Sequence, residues 1–284
     1  MRIVVTGATG TVGSAVLRHL AAEGHEAVAA VREPDARDLP PGVRSVPFDF
    51  LDAVTYRPAL DGADGLFLMR PPAISDARRW VNPVVDAAED VGVRRVAFLS
   101  VLGAGRNPLL PHRSVERRLE RSPLDAVLLR AANFMQNLSD QHAADVRRGV
   151  VAVPAGTGRT SFVDARDVGD AAAVWLTDTD RTRANGAVAY DLTGPEALDY
   201  FEVAAVLSDV LGRRVVYTRP GLVEFFRYER AKGIEAGYAV VMSALYTSSR
   251  LGFAARVADG VEHVLGRPPR PFRTFAEDYR EAWA

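Results

Sequence analysis

The apolar positions of this chain switch repeatedly between short continuous runs and helical stripes. Arg2-Ile3-Val4-Val5-Thr6 is an apolar run that stops at a glycine-rich turn, which predicts a buried strand. Val12, Ala15, Val16, His19 and Leu20 then recur at helical spacing, and Gly24 closes the segment. Ala27–Val31 is the next buried run, so the N-terminal stretch predicts a βαβ unit. Val43–Phe48, Gly65–Met69, Arg95–Leu99 and Ala126–Leu129 predict further strands. Asn82 and Pro83 stand where an N-cap and first helical residue belong, ahead of the stripe Val84, Ala87, Ala88 and Val91. Another helix is predicted over His112–Arg121. Strands alternating with helices imply a parallel sheet covered on both faces, and right-handed crossovers make it a doubly wound, Rossmann-type α/β fold.

Past Gly149 the pattern changes. Val150–Val153 and Thr160–Val163 read as short strands around Gly156 and Gly158. A helix carries Val168, Ala171, Ala172, Trp175 and Leu176, and Val188–Leu192 is a strand. Asp199 and Glu202 have capping-box spacing ahead of Val203, Val206, Leu207, Val210 and Leu211, with Val215–Thr218 a strand behind them. The remainder is mainly helical and aromatic. The expectation is a Rossmann core over residues 1–195 and a smaller, mainly helical C-terminal lobe over 196–284, with parts of 150–195 contributing to the lobe.

Gly7-Ala8-Thr9-Gly10-Thr11-Val12-Gly13 is the strongest local signal, because it follows a strand and opens a helix. In such a turn the first glycine allows the tight bend, the second lets backbone approach a pyrophosphate, and the third lets helix and strand pack closely. Gly7, Thr9, Gly10, Thr11, Val12 and Gly13 are therefore the expected phosphate cradle of a dinucleotide. The second strand ends at Arg32, where a site selective for NAD would carry an acid. A guanidinium there suits a ribose 2′-phosphate, with Arg37 assisting, so the expected cofactor is NADP(H).

Composition narrows the chemistry. Formal net charge is −1, without the basic excess that nucleic acid or a membrane surface would require. There is no cysteine, so disulfides and thiolate chemistry are excluded, and the five histidines show no metal-ligand spacing. No apolar segment is long enough to span a bilayer, and the strand at the very start leaves no room for a leader, so a cytoplasmic location is expected. Lys232 is the sole lysine.

With these residues in view, the chain resembles the NmrA-like branch of atypical short-chain dehydrogenases. The resemblance rests on Thr6–Gly13, Ala97-Phe98-Leu99-Ser100, Leu129–Asn137, Phe162–Val168, Leu192–Leu198 and Gly266-Arg267-Pro268-Pro269. It implies contacts from Asp49 and Phe50 to adenine, Met69 and Arg70 along the cofactor's ribose side, and Asn133 and Phe134 near nicotinamide. Ser100 stands where the parent family keeps its catalytic serine. At the place of that family's Tyr-x-x-x-Lys, the chain has His112 and Glu116, so His112 is the candidate proton donor. Tyr228-x-x-x-Lys232 has the spacing by coincidence and lies in the C-terminal lobe. Phe225, Phe226, Tyr228, Tyr238, Met242 and Tyr246 are candidates for an apolar substrate pocket, with lobe packing as the competing reading.

The resemblance implies an NADPH-dependent reductase acting on a small apolar acceptor such as a quinone, enone or iminium. The expected partner is that small molecule, with no nucleic acid or membrane, in a monomer or homodimer. Two other readings stay open: a regulatory protein that senses NADP(H) without turnover, and a non-redox isomerase or cyclase on the same scaffold.

Overall fold

The computed structural model describes residues 1–33, 39–179 and 186–284. In chain order the first half holds β1 (Arg2–Thr6), α1 (Thr11–Ala22), β2 (Glu26–Val31), β3 (Arg44–Pro47), α2 (Tyr56–Leu60) and β4 (Gly65–Met69). It continues with α3 (Ala77–Trp80), α4 (Asn82–Asp90), β5 (Arg95–Val101), α5 (Pro111–Leu119) and β6 (Asp125–Ala131). The second half holds β7 (Asn133–Phe134), α6 (Ala143–Arg147), β8 (Val150–Val151), β9 (Thr160–Val163), α7 (Ala165–Thr177) and β10 (Ala187–Leu192). Then come β11 (Ala197–Leu198), α8 (Tyr200–Leu211), β12 (Val216–Tyr217), α9 (Leu222–Ala231), α10 (Ala236–Arg250), α11 (Gly260–Leu265) and α12 (Phe272–Asp278).

Seven strands form one parallel sheet in the order β10-β6-β5-β4-β1-β2-β3. The chain winds outward from β1 to β3, then returns to pair β4 on the other side of β1. The sheet's direction of winding therefore reverses at the β1–β4 pair, which is where open α/β sheets hold their ligands. The continuous apolar runs are explained by burial on both faces: Ile3, Val4, Val5, Leu66, Phe67, Leu68, Val96, Ala97 and Phe98 are all fully buried.

The chain divides into two compact units. The first comprises residues 1–131, 165–192 and 259–267, and contains the whole seven-stranded sheet. The second comprises residues 132–164, 193–258 and 268–284, so neither unit is one continuous stretch. The second unit has its own core of Phe162, Tyr200, Phe225, Tyr246, Phe272, Phe275 and Trp283. It also has two small sheets, β11-β9-β7 and β12-β8.

Several predicted elements shorten or shift. Asn82 is the first residue of α4 and not its cap; Val81, already helical, precedes it because α3 runs almost directly into α4. Of the predicted strands 150–153 and 215–218, two residues each pair, β8 with β12, in a two-stranded sheet among the described residues. Asp199 does form the capping box of α8, accepting from the Phe201 and Glu202 amides while Glu202 accepts from the Asp199 amide.

Candidate functional site

The turn after β1 shows why Gly7 and Gly13 are needed. Gly7 has φ +62°, and a Cβ there would sit 2.7 Å from Met69 Cγ at the end of β4. The Gly10 amide donates to Gly7 O at 2.9 Å and closes the turn. A Cβ on Gly13 would lie 2.1 Å from Gly7 O, so helix and turn approach too closely for any side chain there. Gly10 caps α1 in extended conformation with no side-chain hydrogen bond, and no acidic residue lies in the first helical turn. Thr9, Gly10 and Thr11 are exposed, whereas Val12 and Gly13 are buried. The result is a helix N-terminus with its positive end uncapped, which favours an anion.

Thr6, fully buried at the end of β1, ties this turn to β4. Its hydroxyl donates to Phe67 O at 3.0 Å and accepts from the Met69 amide at 3.0 Å. This pair of bonds holds the reversal point of the sheet in register. In the sequence the one signal for this role is a polar residue closing an apolar strand.

The other predicted residues are placed as follows. Arg32 is exposed just beyond β2, and Arg37 lies outside the described residues. Asp49 follows β3 and accepts from the Leu51 amide at 2.9 Å, shaping its own loop. Phe50 is buried edge-on to Phe48, with ring centroids 4.9 Å apart. Met69 ends β4 against Gly7, and Arg70 follows it. Arg70 is drawn into the following loop, donating to the carbonyls of Pro71, Pro72 and Ile74. Asn133 and Phe134 form β7 of the second unit, paired with Phe162 and Val163.

Ser100 is fully buried in β5 and donates its hydroxyl hydrogen to Glu116 Oε1 at 2.7 Å. Glu116 is itself fully buried, and Arg130 grips it with a two-pronged contact, Nε to Oε1 at 2.8 Å and Nη2 to Oε2 at 3.0 Å. Arg113 adds a third donor at 3.1 Å. Burial pushes the Glu116 carboxyl up, but the hydrogen bonds from Arg130, Ser100 and Arg113 outweigh it and hold the group below the usual range. Gly105 is required beside this pair, since a Cβ there would fall 2.6 Å from Arg130 Nη2. His112, four residues before Glu116 on α5, accepts from Arg70 Nε at 3.4 Å through its Nε2. Burial, then the Arg70 charge, pulls the imidazole down to about 4, against a smaller opposing effect of Glu116.

A model of NAD(P)H-binding domains matches residues 7–179, more than half the chain, beginning at the glycine turn. This chain belongs to the NAD(P)H-binding family. An NAD(P)H azoreductase of Xenophilus azovorans is 32% identical over 99% of this chain and 99% of its own length. A solved NADPH-dependent quinone oxidoreductase of Escherichia coli is 25% identical, covers 99% of this chain and 100% of its own, and superposes with TM-score 0.82. The triphenylmethane reductase of a Citrobacter species shares the fold at 24% identity and TM-score 0.86, over 100% of this chain and 99% of its own. The chain is an NAD(P)H-dependent oxidoreductase, consistent with the NmrA-like resemblance.

The residues present fit the family's cofactor. The glycines leave the α1 terminus bare, and a side chain at Gly7 or Gly13 would fill the turn. Thr9, Gly10 and Thr11 would meet the pyrophosphate, and Arg32 the 2′-phosphate. His112 and Glu116, expected at the place of the short-chain dehydrogenases' Tyr-x-x-x-Lys, both lie on α5. The look-alike Tyr228-x-x-x-Lys232 is engaged elsewhere, with two buried carboxylates of the second unit. Tyr228 donates to Asp145, and Lys232 reaches Asp145 Oδ2 at 3.3 Å and Glu229 Oε1 at 3.0 Å. Burial and the neighbouring Asp145 push the Tyr228 phenol up to about 12. His142, Asp145 and Glu229 come close enough to suggest a metal triad, but the Lys232 ammonium is the cation that bridges the two carboxylates. Of the predicted pocket-lining residues, Phe225, Met242 and Tyr246 belong to the second unit's core.

Proposed function

We propose that this protein is an NADPH-dependent reductase of small, flat, conjugated acceptors, quinones and azo compounds in particular. NADPH supplies the hydride. The glycine turn and the α1 terminus bind its pyrophosphate, and Arg32 selects the 2′-phosphate over a free ribose hydroxyl.

The observation that carries the acceptor class is the Ser100–Glu116–Arg130 linkage together with the depressed His112. Ser100 spends its hydroxyl hydrogen on a buried carboxylate, and His112 is neutral at physiological pH. Neither is an acid ready to protonate an alkoxide. Reduction of an isolated ketone needs such an acid. A quinone does not, because the phenolate it becomes is only weakly basic and takes its proton from water. The names of the Xenophilus and Escherichia coli relatives point to the same class of acceptor.

The test is steady-state oxidation of NADPH and NADH with a panel of a naphthoquinone, an azo dye, a cyclic enone and a simple ketone. The expected order is quinone and azo dye first, ketone last, with NADPH preferred. Tight NADPH binding with no oxidation by any acceptor would overturn the reductase reading in favour of a dinucleotide sensor.

A further inference from the structure

Arg70, expected along the cofactor's ribose side, also reaches His112. Three backbone carbonyls, of Pro71, Pro72 and Ile74, hold Arg70 Nη1. That anchoring leaves Nε–H directed at His112 Nε2, 3.4 Å away. A guanidinium can only donate. His112 Nε2 must therefore present its lone pair, and in a neutral imidazole the single N–H is then on Nδ1. His112 Nδ1 is buried and has no hydrogen-bond partner among the described residues. A buried donor left without a partner is destabilising, a cost that an incoming acceptor atom would remove.

We infer that Arg70 is a positioning residue that fixes the tautomer of His112, so that His112 Nδ1–H serves as the hydrogen-bond donor to the carbonyl oxygen or azo nitrogen of the acceptor. The inference rests on the reductase reading and adds a residue to it. His112 polarises the acceptor and keeps its own proton. A quinone gains a hydride from NADPH and a proton from water, leaving hydroquinone and NADP⁺. A neutral imidazole suits this role, since it donates without placing a second full positive charge beside Arg70. The charged groups that act on the ring are Arg70 from the loop after β4 and Glu116 from its own helix, while Phe98 of β5 faces it with a neutral ring 6.3 Å away. From α4, Asn82 reaches the neighbouring Ser114, and it is neutral.

The experiment is long-range ¹H–¹⁵N spectroscopy of the labelled full-length enzyme, with His112 assigned by the signals missing in His112→Gln. The wild type is expected to show Nδ1 protonated and Nε2 bare, with no titration over about pH 5 to 8. In Arg70→Met the preference should relax towards Nε2–H, and kcat for a naphthoquinone should fall about 10- to 100-fold. Arg70→Lys, which still donates, should keep most of the tautomer preference. A wild-type His112 with its proton on Nε2 would by itself overturn the inference, as would an unchanged tautomer in Arg70→Met. The tautomer is read without acceptor, so its failure is separate from that of the reductase reading. A correct tautomer in an enzyme that reduces nothing would sink the reductase reading and the donor role built on it, and leave only the Arg70–His112 pairing standing.

Discussion

Ser100 and Glu116 are joined by a 2.7 Å hydrogen bond between two fully buried side chains, and the carboxylate also receives the Arg130 fork. The serine and glutamate expected at the parent family's catalytic positions thus form a structural knot between β5, α5 and β6. Ser100→Ala is expected to leave kcat within about threefold of wild type, because it removes one neutral donor among several. Glu116→Ala should cost about 3–5 kcal/mol in urea unfolding, since it strands Arg130 in a partly buried position. A large loss of turnover in Ser100→Ala at unchanged stability would return Ser100 to the chemistry.

The glycine turn makes a sharper prediction. Gly13→Ala places a methyl 2.1 Å from Gly7 O, which is backbone and cannot step aside. The α1 terminus must then move away from β1. NADPH binding should fall by at least about 100-fold, corresponding to roughly 3 kcal/mol, in calorimetric titration. Gly24→Ala is a useful control, because a Cβ there meets nothing within 4 Å and only its positive φ is strained.

Cofactor preference is expected to rest on Arg32. Arg32→Ala should weaken NADPH about 10- to 100-fold, the value of a lost charge-assisted contact, while NADH binding stays within about twofold. Equal losses for both dinucleotides would mean that Arg32 does not meet the 2′-phosphate.

Stability should depend on pH through His19. Its Nδ1 lies 2.9 Å from Asp170 Oδ1, and that hydrogen bond raises the imidazole's pKa above its ordinary value. A group raised on folding contributes stability that is complete below its unfolded pKa of about 6.5 and is lost as pH climbs through the folded value. The denaturation midpoint of wild type should therefore fall with pH in that window relative to His19→Gln. Parallel curves for the two proteins would disprove the linkage.

In the second unit the Lys232 ammonium links Asp145 and Glu229, and burial of Asp145 is outweighed by the contacts of His142, Tyr228 and Lys232, which lower its pKa. Lys232→Met should destabilise by about 3 kcal/mol, and Lys232→Arg should fail to restore it fully, because the planar fork does not fit between those two oxygens as a compact ammonium does. Turnover per folded molecule should be unchanged, which separates this pair from a catalytic Tyr-x-x-x-Lys.

Much of this protein is determined by the sequence alone. The continuous apolar runs of β1, β4, β5 and β6 can be buried only between two helical layers, and the Gly7–Gly13 spacing admits one turn between strand and helix. Those are local constraints of period and backbone freedom, so the Rossmann-type sheet and the dinucleotide turn are legible without coordinates. The Asp199 capping box is local in the same sense. What tertiary structure decided are the partnerships of polar side chains far apart in the chain. No spacing rule links Thr6 to Phe67, Ser100 to Glu116 and Arg130, Arg70 to His112, or Lys232 to Asp145. The interleaving of the two units is equally invisible, because segments 132–164 and 259–267 carry ordinary amphipathic patterns whose allegiance is set by which core they meet. Hydrophobic period fixes an element and its buried face; only the packed fold fixes which buried donors and acceptors meet, and with them the division between structural and chemical roles.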